Sequence, residues 1–112
     1  MDCNIETSIN GSQLTVKISG EIDHHSARPL REKIDEALYF HRSKSVALDL
    51  SGVAFMDSSG LGLILGRFTL ARELGGVLRV VNPNESVLKV LELAGTDRLI
   101  KIEKTSEKGA QK

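Results

Sequence analysis

Phe55-Met56-Asp57-Ser58-Ser59-Gly60-Leu61-Gly62-Leu63-Ile64-Leu65-Gly66-Arg67 reads as a loop that leaves a strand and turns into a helix. Asp57 or Ser58 can cap that helix by accepting from one of the free backbone N–H groups at its start. The helix is expected to run to the Gly75-Gly76 stop, with Leu61, Ile64, Leu65, Phe68 and Ala71 as its core stripe. Upstream, Val46, Leu48 and Leu50 alternate with Ala47 and Asp49 and predict a strand; downstream, Val77 to Val81 predict another. A strand, a helix and a strand in this order make a parallel crossover unit, and the rest of the chain extends it.

Residues 4 to 9 and 14 to 19 each alternate apolar and polar around Asn10-Gly11-Ser12, a turn that tolerates positive φ, so a β-hairpin is expected whose second strand ends at Gly20. Ala27, Leu30, Ile34, Ala37 and Leu38 have helical spacing. Because Pro29 fits best in a first turn, that helix is placed from near Ser26, with a looser turn from Asp23, to about Phe40; Ser26 or Asp23 is its cap. Asn82-Pro83-Asn84 starts a third helix with Val87, Leu88, Leu91 and Ala94 on its apolar face, and Leu99 to Ile102 predict a short last strand. The order β-β-α-β-α-β-α-β predicts an α/β fold with a mixed sheet of about five strands. Alternation in every strand leaves one sheet face solvated, and right-handed crossovers between neighbouring strands put the helices mainly on the other.

At 112 residues the chain fits one domain, and its 40% hydrophobic content supplies an aliphatic core without metal or disulfide; Cys3 is the only cysteine. Fifteen Lys and Arg balance fifteen Asp and Glu, and no basic run is interleaved with aromatics, which argues against nucleic acid as a partner. The longest apolar stretch, Leu61 to Leu65, is too short to cross a bilayer, so no membrane partner is expected. Met1-Asp2-Cys3 opens no secretory leader pattern, and a cytoplasmic location is expected.

An Asp-Ser pair before a helix is most often only a cap. Capping alone, however, does not call for two serines followed by Gly60 and Gly62, each of which costs about 1 kcal/mol of helix propensity relative to Ala. Glycines there permit close approach by another surface, and Gly62 and Gly66, four apart, share one helix face. Leu63 lies opposite the stripe, so this helix meets either a second surface or a neighbouring helix of the same chain.

The stretch from Phe55 to Gly62, with Ile64-Leu65-Gly66-Arg67 behind it, resembles the signature of anti-sigma factor antagonists with a STAS domain. Gly20-Glu21-Ile22-Asp23-His24-His25-Ser26-Ala27 resembles the segment after the second strand of that family, and its Asp-His-His triplet is closest to the sporulation-type members. The resemblance implies a single STAS-type domain over residues 1–104 and a regulator rather than an enzyme. It binds an anti-sigma factor that is also a serine kinase, and so releases a sigma factor; the triplet and the Ile64-Leu65-Gly66-Arg67 continuation point to a sporulation one, with a stress-response one as the alternative. The kinase inactivates it by phosphorylating Ser58, and a serine phosphatase reverses this. The resemblance further implies that Asp23, His24, Asp57, Ser59, Gly60 and Gly62 form the partner-reading surface. Residues 105–112 depart from the family, whose last helix has clear apolar positions, and are expected to be a polar tail.

Three other chemistries have partial support. Ser58 or Ser59 with His24 or His25 as base and Asp23 or Asp57 as orienter has the composition of a serine hydrolase, but the Gly-x-Ser-x-Gly elbow is missing. Adjacent His24 and His25 cannot chelate one ion from a single helix face, and His41 is remote, so no metal is expected. Gly60, Gly62 and Gly66 after a strand hint at a phosphate loop, but the Walker lysine is absent. No cofactor is expected, since the ATP belongs to the partner kinase.

Overall fold

The computed structural model describes residues 3–104, so the expected polar tail at 105–112 lies outside the described residues. The elements are β1 (Asn4–Asn10), β2 (Gln13–Ile22), α1 (His24–His41), β3 (Ser45–Met56), α2 (Ser58–Glu73), β4 (Val77–Val81), α3 (Glu85–Leu93), one 3-10 turn (Thr96–Arg98) and β5 (Ile102–Glu103). The strands form one mixed sheet in the order β1-β2-β3-β4-β5. β1 is antiparallel to β2, and the other neighbours are parallel. Each parallel step is therefore a crossover through one helix, which stacks all three helices on one face.

Alternation places Leu14, Val16 and Ile18 of β2 with Val46, Leu48 and Leu50 of β3 under the helices, all essentially inaccessible. Leu30, Ile34 and Leu38 of α1, Ile64 and Phe68 of α2, and Val87 and Leu91 of α3 close over them. The opposite face is polar. There Arg79 on β4 ties four strands together, donating to Gln13 Oε1 at 2.7 Å, Ser45 Oγ at 2.8 Å and Glu103 Oε1 at 3.1 Å. The hairpin turns on Gly11, whose φ of 64° is the conformation that favours glycine.

Several boundaries differ from expectation, each for an identifiable reason. β2 does not stop at Gly20 but continues to Ile22, because Gly20, at φ 112°, sits in an irregularity of the β2–β3 pairing instead of ending the strand. α1 starts at His24, so Pro29 lies beyond the first turn. The helix tolerates it because capping at one end and burial of Leu30, Ile34 and Leu38 hold the segment helical. β3 is longer than the stretch from Val46 to Leu50 and reaches Met56.

In α2 the buried stripe is turned toward α1. Leu63 is buried, whereas Leu65 is exposed and Leu61 is only partly covered. The second surface that Leu63 meets therefore belongs to the same chain, since α2 packs on the sheet with one side and on α1 with another. Ala94 is exposed at the end of α3, and within Asn82-Pro83-Asn84 it is Asn84 that caps that helix. The last strand is Ile102–Glu103. Ile100 is fully buried ahead of it, but Leu99 turns out to solvent after the 3-10 turn.

Candidate functional site

β2 and β3 end level with one another, with Ile22 paired to Met56. The next residue on each strand is an aspartate, and the Asp57 N–H donates to the Ile22 carbonyl at 3.1 Å, which locks the two strand ends together. Each aspartate then closes a helix. The Asp57 carboxylate accepts from the Ser59 N–H at 2.8 Å, and its carbonyl accepts from the Gly60 N–H at 2.9 Å. The Asp23 carboxylate accepts from the His25 N–H at 2.9 Å and the Ser26 N–H at 3.0 Å. Ser26 Oγ reciprocates by accepting from the Asp23 N–H at 2.9 Å, completing a capping box, and donates to the Glu21 carbonyl. The hydrogen bond from the Ser26 amide, above all, holds the Asp23 carboxyl below its ordinary pKa; desolvation opposes it, and the His25 amide, the Ser26 hydroxyl and the His25 charge add to the lowering.

Two helix N-termini therefore open side by side on the edge where parallel strands end, the edge at which α/β sheets present their functional groups. Ser58 is the first residue of α2 and is exposed; among the described residues its hydroxyl has no hydrogen-bond partner. Ser59 is half-buried, and His24 and Gly62 are exposed beside it. Gly60 is buried. A Cβ there would run into the Met56 side chain and stand 3.3 Å from Ile22 Cγ2, so its close approach is to the chain's own core. Gly62 is different, with nothing within 4 Å of the place a Cβ would occupy.

From this rim a groove of about 570 Å³ runs between α1 and α2, lined by His24, Ala27, Arg28, Arg31, Ser59, Gly62, Leu63, Gly66 and Arg67. Arg67 is nearly buried in its wall and pairs with Asp35 of α1 at 2.6 Å. Burial pushes the Arg67 guanidinium pKa down, and Asp35 opposes that shift. In the sequence Arg67 stands out only as part of the Ile64-Leu65-Gly66-Arg67 motif, and nothing there pairs it with Asp35. The available signal is position, since Arg67 falls between Ile64 and Phe68 in a buried helical sector where a charge needs a counter-charge.

The same geometry bears on the rival chemistries. Both aspartates spend their carboxylates on backbone amides, and no described hydrogen bond joins Ser58 or Ser59 to an imidazole. No cluster of three or more His, Cys, Asp or Glu side chains suited to a metal occurs among the described residues. No helix among them is long and apolar enough to cross a membrane.

A family model described as the STAS domain matches residues 4–109. The chain belongs to the STAS domain family. Within it, the chain is similar to the anti-sigma F factor antagonist of Paenibacillus polymyxa, with 37% identity over 91% of this chain and 87% of that protein. It is also similar to the anti-sigma-B factor antagonist of Bacillus subtilis (strain 168), with 33% identity over 99% of this chain and 100% of the relative. Among solved structures, the STAS fold here superposes on the unphosphorylated form of the anti-sigma factor antagonist SpoIIAA with a TM-score of 0.78 and 27% identity, covering 96% of this chain and 92% of that one. The phosphorylated form of SpoIIAA, a Bacillus cell fate determinant, superposes with a TM-score of 0.69 and 26% identity, covering 96% and 97%.

Proposed function

We propose that this STAS domain is an anti-sigma factor antagonist that works as a phosphorylation switch. Its unphosphorylated form binds an anti-sigma factor with serine kinase activity and releases the sigma factor. The kinase, using its own ATP, phosphorylates Ser58 and turns the antagonist off, and a serine phosphatase restores it. The partners operate in transcription, so the site of action is the cytoplasm. The observation that carries the reading is the exposed, unengaged hydroxyl of Ser58 at the mouth of α2, framed by Asp57 and flanked by the Asp23 cap. Asp23, His24, Asp57, Ser59 and Gly62 form the surface read by the partner, while buried Gly60 shapes it from beneath.

Electrostatics describe how such a switch operates. A phosphate on Ser58 adds a charge of about −1.5 to −2. At a helix N-terminus that charge is favoured by about 0.3–1 kcal/mol when exposed. Asp57 and Asp23 repel it, weakly in water. The two effects are small and opposed, and neither repacks an aliphatic core. The phosphate therefore acts at the interface, by bulk and like charge against the partner.

The Asp23-His24-His25 triplet and the 37% identity to the anti-sigma F factor antagonist favour a sporulation sigma factor. The full-length match to the anti-sigma-B factor antagonist favours a stress-response one. The test is to add the purified chain to complexes of anti-sigma F with sigma F and of anti-sigma B with sigma B. Release of one sigma factor by the wild type and not by Ser58→Asp is expected; equal release by both proteins would contradict the switch.

A further inference from the structure

The groove between α1 and α2 carries more positive charge than its own carboxylates neutralise. Arg28 pairs with Glu32 at 3.9 Å on an open helix surface, and Arg67 pairs with Asp35 at 2.6 Å in the wall. Arg31, also exposed and lining the groove, has no ion-pair partner among the described residues. It is close enough that its charge depresses the Arg67 pKa, in the same direction as burial does. Along the facing wall, Gly62 and Gly66 leave a gap in which a Cβ would meet nothing within 4 Å, beside apolar Leu63. The groove opens onto the Ser58 rim through His24 and Ser59.

We propose that this groove receives an acidic side chain of the anti-sigma factor, held by Arg31, with the stem of that side chain passing over Gly62 and Gly66. The proposal rests on the antagonist reading and extends the contact surface beyond the phosphorylation rim. A protein carboxylate fits better than a phosphate. The Ser59 and Gly60 amides at the start of α2, which would cradle a phosphate, are already bonded to Asp57. What remains is a wall of guanidinium groups facing an apolar and glycine surface, which suits an acidic side chain with a methylene stem.

The experiment measures binding of the unphosphorylated chain to anti-sigma F and anti-sigma B factors by calorimetry at two salt concentrations. Against whichever factor the wild type binds, Arg31→Glu should weaken affinity at least about tenfold and flatten its salt dependence. Arg31→Lys, which keeps the charge but not the guanidinium fork, should weaken binding less than Arg31→Glu does. Gly66→Leu, placed where a Cβ meets nothing within 4 Å, should also weaken binding while the melting curve shows an intact fold. Wild-type affinity in Arg31→Glu and Gly66→Leu, with binding lost in Ser58→Asp, would overturn the groove and leave the antagonist reading standing. Failure of the wild type to bind either factor would overturn both. Binding of ATP or inorganic phosphate to the chain alone, abolished by Arg31→Glu, would reassign the groove to a phosphate and overturn the proposal.

Discussion

Asp23 and Asp57 stand one residue beyond the paired strand ends Ile22 and Met56, and each caps its own helix at a common edge of the sheet. Each carboxylate has a structural duty to backbone amides as well as a place on the surface that surrounds Ser58. The two duties separate by substitution. Asp23→Ala removes the acceptor of two amides and should lower the urea denaturation midpoint, whereas Asp23→Asn keeps the cap and should lower it far less. If Asn restores stability but not partner binding, the charge is what the partner reads; if it restores both, Asp23 serves only as a cap.

The same contacts give an acid-side signature. Because the folded-state pKa of Asp23 is lowered, chiefly by the Ser26 amide, its contribution to stability is present above the ordinary carboxylate pKa. That contribution is lost as pH falls through the lower folded value, a window below about pH 4. Denaturation midpoints measured from pH 6 downward should fall less steeply for Asp23→Asn than for the wild type. Parallel curves would show that the carboxylate gains nothing from its cap.

Two glycines of α2 that look alike in the sequence should respond with opposite sign. Gly60→Ala drives a methyl into Met56 beneath it and should destabilise by about 1–3 kcal/mol, relieved in part by Met56→Ala in the double variant. Gly62→Ala meets open space on a helix and should stabilise by up to about 1 kcal/mol. Chemical denaturation of the set checks both signs at once.

The Arg67–Asp35 pair joins α2 to α1 behind the groove. Asp35→Ala leaves a nearly buried guanidinium without its counter-charge and should cost about 1–3 kcal/mol, less than a fully buried pair because Asp35 is partly open to water. Replacing both residues, as Asp35→Ala with Arg67→Met, should recover much of the loss. An additive double-variant cycle would contradict the coupling.

Much of this was legible because local chemistry and period agreed. The Asn10-Gly11 turn, the alternation of Val46, Leu48 and Leu50, and the Gly75-Gly76 stop each name their element, and crossover handedness between neighbouring strands puts the helices on one face. The neighbourhood of Asp23 and Ser58 was legible for the same reason, since both follow strands that run parallel. Gly20 misled because a glycine marks an irregular pairing as readily as a strand end. Leu63 and Leu65 exchanged roles because periodicity locates an apolar face but not the second helix that covers it. Arg67–Asp35 was out of reach because it joins side chains on different helices, and the unneutralised Arg31 because its place in the groove depends on how those helices pack.

Phosphorylation should leave the fold in place. Backbone amide spectra of the two forms should differ at Asp23 and from Asp57 to Gly62, where charge and amide donors are nearest. Widespread shifts in β2 or β5 would mean that the phosphate repacks the domain instead of blocking the partner.

The most direct measurement is to incubate the chain with ATP and the serine-kinase anti-sigma factor it binds, then locate the phosphate by mass spectrometry. A single phosphate on Ser58 is expected, absent from Ser58→Ala, which should still bind the partner. Phosphate on Ser59, or incorporation into Ser58→Ala to the wild-type extent, would contradict the assignment of the switch to Ser58.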